Sequence, residues 1–364
     1  MSFCDLAVSG VADLQPYVPG KPIAELQRQY GVKEVIKLAS NENPLGPSKA
    51  ALAALAQSSR EITRYPDGNG YTLKMALAEK YQLVPEQITL GNGSNDVLEL
   101  VARAFAAGGD EVIYSEHAFA VYPLVTKAVG AKGIVAPAKE YGHDLQAIKK
   151  CINSRTKLIF IANPNNPTGT WIAPAELKAF MEKVPENVLV VLDEAYVEYL
   201  EQWENTVAWL QDYHNLIITR TFSKAYGLAG LRVGYALSHP EVADLLNRVR
   251  QPFNVNNLAQ AAAVAALSDD TYLQQARELN NTGMKQLIAG FEKMELQFIP
   301  SKGNFITVNV HSNAAEVYDD LLYEGVIVRP IANYGLPQHL RVSIGLGEEN
   351  QRFLAALAKV LGRG

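Results

Sequence analysis

The stretch NVLVVLDEAY, residues 187–196, joins an unbroken apolar run to a carboxylate pair and a tyrosine. A strand with one face in water alternates apolar and polar residues, whereas a strand covered on both faces has a continuous apolar run. KLIFIANP (157–164) has the same character, and the helical segment PAELKAFMEKV separates the two runs. The stretch therefore predicts a parallel strand in a sheet that helices cover on both sides.

The alternation of apolar runs with helical segments extends outward from this stretch in both directions. Seven runs share it, at 88–92, 111–116, 132–138, 157–164, 187–196, 215–221 and 231–238. The gap between the last two runs is too short for a crossover helix, so LRVGYALS (231–238) is expected as an antiparallel strand. The sequence thus predicts an α/β fold whose large domain has a mostly parallel seven-stranded sheet between helices.

The two ends of the chain have a different pattern. In the C-terminal third, long helical stretches lead into the short runs QFIP, FITVNV, VIVRP and HLRVSIG, which is typical of a smaller α+β domain. The first 50 residues contain many prolines and glycines and are expected to form an extended arm that packs on this second domain. We predict the arm and part of the small domain at 1–50, the large domain at 51–257 and the C-terminal small domain at 258–364.

Composition argues against several classes of protein. The 364 residues carry a net charge of −5, with no arginine-rich arm or basic patch, so nucleic acid is not an expected partner. No apolar stretch approaches the roughly 20 residues of a membrane helix. Cys4 and Cys151 lack the spacing of a metal site, and no metal is expected. The N-terminus lacks the pattern of a secretory signal, so the expected compartment is the cytoplasm.

Polar residues follow the predicted strands at their carboxyl ends, where open parallel sheets bind ligands. The first strand leads into Gly93, Ser94 and Asn95 at a helix start, where free N–H groups and a partial positive charge suit a phosphate. Such glycine-rich turns are common, and this one is no dinucleotide fingerprint. The fourth strand leads into NPNNPTG (163–169), whose two adjacent amides a proline-fixed turn does not require.

The next two strands end in ionisable and hydroxyl residues. The opening stretch delivers Asp193, Glu194 and Tyr196, and burying a carboxylate without a partner is costly, although a helix N-cap would also explain Asp193. The segment TFSKAYGLAGLRVG (221–234) places Lys224 among small and apolar residues, where a solvated lysine is the ordinary alternative. It also supplies two hydroxyls and a guanidinium, from Thr221, Ser223 and Arg232.

One ligand, pyridoxal 5′-phosphate (PLP), needs this whole set of groups. Its phosphate binds helix N–H groups, hydroxyls and an arginine fork. Its pyridine nitrogen stays protonated beside a carboxylate, and its phenolate oxygen accepts hydrogen bonds from neutral donors such as an amide and a tyrosine. Its aldehyde reacts with a lysine whose pKa a desolvated, electropositive site lowers. The residues at the strand ends therefore predict PLP as cofactor.

The chain also resembles a known family, the aspartate-aminotransferase-like, fold type I PLP enzymes, and within it the histidinol-phosphate aminotransferases. The resemblance covers essentially the whole chain, and its motifs are specific in combination. They are LQPYVPGKP (14–22), LASNENPLGPS (38–48), RYPDGNG (64–70), NPNNPTG (163–169), LDEAY (192–196) and TFSKAYGLAGLRVG (221–234). The resemblance implies the aspartate-aminotransferase-like fold.

The resemblance assigns cofactor contacts residue by residue. Lys224 would hold the PLP aldehyde and move a proton between the substrate Cα and the cofactor C4′. Asp193 would pair with the pyridinium nitrogen, Asn166 and Tyr196 would bind the phenolate oxygen, and Phe119 would stack on the ring. Lys224, Asp193 and Tyr196 are the expected catalytic residues. The phosphate would be held by the backbone of Ser94 and Asn95 and by Thr221, Ser223 and Arg232.

The resemblance also implies a partner subunit and substrates. Tyr65 matches a tyrosine that in this family reaches the phosphate of the neighbouring subunit, which implies a homodimer with shared active sites. Arg329 and Arg341 leave otherwise buried strands, so each is expected to meet an anion. With Tyr17 and Asn43 they would contact the substrates. The implied reaction is ping-pong transamination of L-histidinol phosphate with 2-oxoglutarate, giving imidazole-acetol phosphate and glutamate in histidine biosynthesis.

Three other functions share part of this pattern. An aromatic amino-acid aminotransferase for phenylalanine or tyrosine would have the same motifs. A PLP-dependent decarboxylase of a phosphorylated amino acid would share Lys224 and the arginines, and release of carbon dioxide without a keto acid would distinguish it. A non-catalytic PLP-sensing regulator would need an added DNA-binding domain, for which the chain has neither spare length nor a basic helix-turn-helix stretch.

Overall fold

The computed structural model describes residues 3–8, 10–16, 20–201 and 204–363. The strands are β1 (Ile36–Lys37), β2 (Ile88–Gly91), β3 (Glu111–Ser115), β4 (Lys132–Ala136), β5 (Ala138–Lys139), β6 (Gly142–His143), β7 (Thr156–Ala162), β8 (Leu189–Asp193), β9 (Leu216–Thr221), β10 (Gly234–Ser238), β11 (Phe298–Ile299), β12 (Phe305–Asn309), β13 (Val326–Ile327), β14 (Arg329–Ile331) and β15 (Leu336–Ser343). The α-helices are α1 (Ile23–Tyr30), α2 (Lys49–Ser58), α3 (Tyr71–Tyr81), α4 (Ser94–Phe105), α5 (Val121–Ala128), α6 (Leu145–Cys151), α7 (Pro174–Met181), α8 (Pro240–Val249), α9 (Asn257–Leu267), α10 (Asp270–Lys293), α11 (Ala314–Tyr323) and α12 (Gly347–Val360).

The seven predicted apolar runs form one sheet, in the order β2-β10-β9-β8-β7-β3-β4. Strand β10 pairs antiparallel with both of its neighbours, as expected from the short connection that precedes it, and the remaining pairs are parallel. The predicted α/β fold with a mostly parallel seven-stranded sheet is confirmed.

Successive residues of the central strands enter two different cores. In β7, Ile159 and Ile161 join one cluster of buried side chains, whereas Leu158 and Phe160 join the cluster on the opposite face. All four are fully buried. Because side chains alternate between the faces of a strand, a run without polar residues is what two covered faces require.

The second sheet has four antiparallel strands in the order β11-β12-β15-β14. Helices α10, α11 and α12 contribute to its core, through residues such as Leu287, Leu321 and Phe353. The N-terminal segment reaches this unit through β1, which pairs parallel with β13. On the basis of this pairing we propose that the N-terminal segment packs on the small domain.

The packing of α9 bears on the predicted division at residue 257. Its alanines Ala259, Ala262 and Ala263 are fully buried in the core that contains the seven-stranded sheet, and the helix packs on α2 and α3. The long helix α10 contributes Leu273 to that core and Leu287 to the core of the second sheet. We therefore propose that the boundary between the two domains falls within α10.

Within the described ranges, no helix is both long and apolar enough to cross a bilayer.

Candidate active site

A cavity of about 350 Å³ opens at the carboxyl ends of β7, β8 and β9, which is a common size for a small-molecule site. The start of α4, the segment 39–41 and strands β14 and β15 complete its wall. The cavity brings together twelve residues that were predicted from the sequence. They are Ser94, Asn95, Phe119, Asn166, Asp193, Tyr196, Thr221, Ser223, Lys224, Arg232, Arg329 and Arg341.

An anion cradle lies at the N-terminus of α4. The first N–H groups of a helix have no partner within it, and Ser94 and Asn95, the first two residues of α4, line the cavity. Gly93 has a φ of +86°, and a side-chain carbon there would overlap the Arg232 guanidinium. Arg232 Nη1 donates to Ser223 Oγ at 3.2 Å, and Ser223 N donates to Thr221 Oγ1 at 3.1 Å. Glycine at position 93 thus lets the guanidinium lie beside the helix start.

A buried carboxylate lies at the end of β8. Asp193 Oδ2 accepts a hydrogen bond from the Tyr122 hydroxyl at 2.9 Å, and Oδ1 accepts one from Thr219 Oγ1 at 3.0 Å. Burial raises the pKa of Asp193 to about 6, and both hydrogen bonds oppose this rise. Two fixed donors hold the carboxylate in place, and a cationic ring nitrogen would suit it. Tyr122 and Thr219 were not predicted from the sequence.

Glu194 points away from the cavity, because adjacent residues of a strand face opposite sides. Its Oε2 accepts hydrogen bonds from Arg220 Nε at 2.9 Å and Nη2 at 2.7 Å, and its Oε1 accepts one from Thr206 at 2.6 Å. Both members of this ion pair are buried. The pair ties the end of β8 to β9 directly behind Asp193 and Thr219.

The amine of Lys224 lies between the cradle and the second sheet. Its Nζ donates to Ser40 O at 3.1 Å. Burial lowers the pKa of Lys224 to about 7, with a further lowering by the positive charges of Arg341 and Arg232 and an opposing effect of Glu42. A substantial fraction of this amine is therefore neutral near pH 7, as a nucleophile or general base requires.

Tyr196 joins the cofactor side of the cavity to the substrate side. Its hydroxyl accepts hydrogen bonds from Asn41 Nδ2 at 2.9 Å and Asn166 Nδ2 at 3.2 Å. Arg341 Nη1 donates to Asn166 Oδ1 at 2.7 Å, and Nη2 donates to Ala39 O at 2.5 Å. Burial raises the pKa of Tyr196 to about 12, so its phenol stays protonated. Two arginines, Arg341 and its cross-strand neighbour Arg329, line the cavity from the second sheet.

Of the predicted residues that the structure describes, two are not among those that line the cavity. The structure does not bring Asn43 to it, because the Asn43 amide donates inward to Ala225 O at 2.8 Å and Tyr272 Oη at 3.0 Å. Asn41 of the same motif lines the cavity instead. Tyr65 is 83% exposed and stacks on Phe253 at a ring-centroid distance of 4.8 Å. Tyr17 lies outside the described residues.

The residues that line the cavity fit PLP. The cradle at α4 suits a phosphate, the Asp193 carboxylate suits a pyridinium, and the Tyr196 and Asn166 donors suit a phenolate oxygen. The amine of Lys224, with its lowered pKa, suits an aldehyde. Phe119 adds an aromatic ring to the wall of the cavity.

Comparison with known proteins agrees with this chemistry. The family model described as aminotransferase class I and II matches residues 33–357. The chain belongs to this family. Histidinol-phosphate aminotransferase 2 of Pseudomonas fluorescens (strain Pf0-1) is 60% identical over 367 residues, with 100% of this chain and 99% of that protein covered. Histidinol-phosphate aminotransferase 1 of Mannheimia succiniciproducens is 57% identical over 363 residues, with 99% of each covered.

A solved structure of a relative shows the same fold. The crystal structure of histidinol-phosphate aminotransferase from Sinorhizobium meliloti, in complex with pyridoxal-5′-phosphate, matches with a TM-score of 0.89. It is 30% identical, and the match covers 95% of each chain. The aspartate-aminotransferase-like fold that the sequence implied is thereby confirmed.

Proposed function

We propose that this aminotransferase uses PLP to exchange an amino group between L-histidinol phosphate and 2-oxoglutarate, giving imidazole-acetol phosphate and glutamate, as in histidine biosynthesis. One observation carries the proposal. Arg329 and Arg341 are directly opposite each other on β14 and β15, and both line the cavity that contains the Lys224 amine. Two cations on this wall suit amino donors that carry a phosphate or carboxylates, and the two relatives described above are histidinol-phosphate aminotransferases.

When bound, PLP supplies an aldehyde that reacts with amino groups and a ring that accepts an electron pair. Three residues of the chain have distinct roles in the proposed reaction. Lys224, neutral in part near pH 7, would take the proton from the substrate Cα and return it at the cofactor C4′. Asp193 would hold a negative charge beside the ring nitrogen, and Tyr196 would donate a hydrogen bond to the phenolate oxygen. The same residues serve both halves of a ping-pong exchange.

Arg329 and Arg341 explain how one site can accept two kinds of substrate. A guanidinium presents a planar fork of N–H groups that fits a carboxylate and a phosphate equally well. Arg341 is fixed by Asn166 and Ala39 and lies 5.5 Å from the Phe305 ring centroid, so its fork is preorganised. Glutamate and histidinol phosphate can therefore take turns at the same cations.

We also propose a cytoplasmic homodimer with shared active sites. Tyr65 and Phe253 are 83% and 45% exposed, and a stacked aromatic pair in water is a typical contact site for another chain. Tyr65 would reach the phosphate in the neighbouring subunit. Mixing Lys224→Ala subunits with Tyr65→Ala subunits tests this. In a dimer with shared sites, each hybrid has one intact site, with Lys224 from one subunit and Tyr65 from the other, so activity returns. No regain of activity, or a monomer in sedimentation, contradicts the dimer.

The test of the function is a set of half-reactions on purified, PLP-loaded protein. Histidinol phosphate and glutamate should each convert the cofactor absorbance to the pyridoxamine form, with phenylalanine and tyrosine much slower. An aromatic aminotransferase is the second candidate, since Phe119, Val121 and Leu124 give the cavity an apolar wall that an aromatic ring would fit. Faster conversion by phenylalanine would establish that candidate. Release of carbon dioxide without a keto acid would establish a decarboxylase.

A further inference from the structure

Tyr196 receives a hydrogen bond from a residue that the sequence did not single out. Asn166, expected beside the cofactor, donates to the Tyr196 hydroxyl at 3.2 Å, but Asn41 donates at the shorter distance of 2.9 Å. Asn41 is 1% exposed and lines the cavity. The position of its amide is therefore part of the site, although the resemblance assigned it no role.

The direction of the hydrogen bond from Asn166 follows from Arg341. A guanidinium has donors and no acceptor, so the atom of Asn166 that lies 2.7 Å from Arg341 Nη1 must be the amide oxygen. The NH₂ group of Asn166 consequently faces Tyr196. One side of the Tyr196 oxygen is thus occupied by a donor.

Asn41 is held in an unusual backbone conformation that aims its amide at the other side of the Tyr196 oxygen. Its φ is +53°, a left-handed value that asparagine tolerates better than most residues. Its N–H donates to Ser343 Oγ at 2.8 Å, and Ser343 Oγ donates to its Oδ1 at 3.1 Å. Asn304 Nδ2 donates to its carbonyl at 3.0 Å. Ser343 and Asn304 both belong to the second sheet or its approach, so that unit positions the Asn41 amide.

We propose that Asn41 is a positioning residue that turns the hydroxyl hydrogen of Tyr196 into the cavity. A hydroxyl has one donor and two acceptor directions, and Asn41 and Asn166 occupy the acceptor directions. The hydrogen therefore takes the remaining direction, toward the space that Tyr196 lines. The inference rests on the proposed function, in which this hydrogen bonds the phenolate oxygen of PLP.

The device has a spectroscopic consequence. A hydrogen bond to the phenolate oxygen stabilises the negative charge on that oxygen. The group of the bound cofactor that titrates then holds its proton less tightly, and the pKa of that group falls. Without Asn41 an acceptor direction of Tyr196 is open, and the hydroxyl hydrogen is free to turn away from the cavity. The pKa at which the absorbance of the bound cofactor changes should then rise.

The experiment compares Asn41→Gly, Tyr196→Phe and the double variant in PLP-loaded protein by absorbance titration against pH. Glycine accepts the left-handed backbone and removes only the side chain. We expect Asn41→Gly to raise the cofactor pKa by about half to one pH unit, in the same direction as Tyr196→Phe. The double variant should titrate like Tyr196→Phe alone, because Asn41 acts through that hydroxyl.

Two further variants complete the test. Gln82→Gly removes another left-handed side chain, with φ +56° at the exposed end of α3, and should leave the titration unchanged. Ser343→Ala keeps the Asn41 side chain but removes the hydroxyl that contacts both its N–H and its Oδ1. It should raise the pKa of the bound cofactor by less, and it replaces Asn41→Gly if that variant does not fold. An unchanged titration, or shifts that add fully in the double variant, would overturn the inference. An unmodified protein that gains no titrating cofactor band would instead contradict the proposed function itself.

Discussion

Arg232 and Arg341 line the same cavity but belong to regions that are assembled in different ways. The hydrogen-bond partners of Arg232, Ser223 and Ala229, lie within nine residues of it along the chain. Those of Arg341, Asn166 and Ala39, lie 175 and 302 residues away. The cofactor side is thus formed by the strand ends of one sheet, whereas the substrate side forms only when the second sheet and the N-terminal segment pack against it.

This difference separates two kinds of defect. A change on the cofactor side should weaken PLP binding whether or not substrate is present. A change on the substrate side should leave the cofactor in place and raise the KM for the amino donors, because the residues on that side are expected to contact the amino donor. Lys224 lies between the two sides, and its loss should affect both.

Lys224→Ala should have the largest effect. Turnover should fall by about 10³-fold or more, since the variant lacks the group that moves the Cα proton. After borohydride reduction, mass spectrometry should find no cofactor attached to the variant, whereas Lys157→Ala, which changes an exposed lysine, should be labelled normally. A covalently bound cofactor on the Lys224→Ala chain would show that another lysine carries it.

Glu194→Ala should have the next largest effect, on stability. It removes the carboxylate that forms the ion pair with the buried Arg220 guanidinium, and breaking a buried pair from one side typically costs about 3–5 kcal/mol in free energy of unfolding. Urea denaturation measures this loss. The exposed pair of Lys359 and Glu324, at 2.7 Å, is the matched control, and Lys359→Ala should cost less than about 1 kcal/mol. Similar losses in the two variants would mean that the buried pair does not anchor β8 to β9.

Arg341→Lys should affect substrate binding. The variant keeps the positive charge but lacks the planar fork, so we expect the KM for glutamate and for histidinol phosphate to rise by about 100-fold. Steady-state kinetics with each donor measures the change. Arg248→Lys, at an exposed ion pair on α8, should leave both KM values unchanged. An increase in the KM for glutamate alone would mean that histidinol phosphate binds to other cationic residues.

Tyr122→Phe should have the smallest effect, and it should depend on pH. The Tyr122 hydrogen bond lowers the pKa of Asp193, which burial has raised to about 6, so its loss raises that pKa further. In the cofactor-free protein Asp193 is then protonated over a wider acidic range, and the pH below which PLP binding weakens should move upward. The affinity of the cofactor-free protein for PLP should fall several-fold near pH 6 and change by less than about twofold near pH 8. A uniform loss at all pH values would indicate misplacement of Asp193 rather than altered ionisation.

The sequence predicted the sheet and the strand-end residues for one physical reason. Strands with two buried faces have continuous apolar runs, and the ends of parallel strands meet at one edge, so the sequence pattern alone was enough to group Asp193, Thr221 and Lys224. The outward direction of Glu194 could also have been predicted, since neighbours on a strand face opposite sides. The same rule makes Thr219 a neighbour of Thr221 on one face.

Other contacts depend on geometry that no local pattern specifies. Tyr122 reaches Asp193 only because of the rotation of α5, where its ring stacks on Phe160 at 4.7 Å. Asn41, rather than Asn43 of the same motif, lines the cavity. This depends on the left-handed backbone of Asn41, whose φ is +53°. The packing of α9 on α2 and α3 likewise joins segments that are far apart in the chain.

The most direct test of the division between the two sides is the equilibrium dissociation constant of PLP for Arg232→Gln and Arg341→Gln, measured in the absence of amino donors. We expect Arg232→Gln to weaken PLP binding by at least about tenfold, since one charge-assisted contact to the phosphate is lost. Arg341→Gln should stay within about twofold of the unmodified protein. A similar increase in the PLP dissociation constant in the two variants would contradict the division between the two sides.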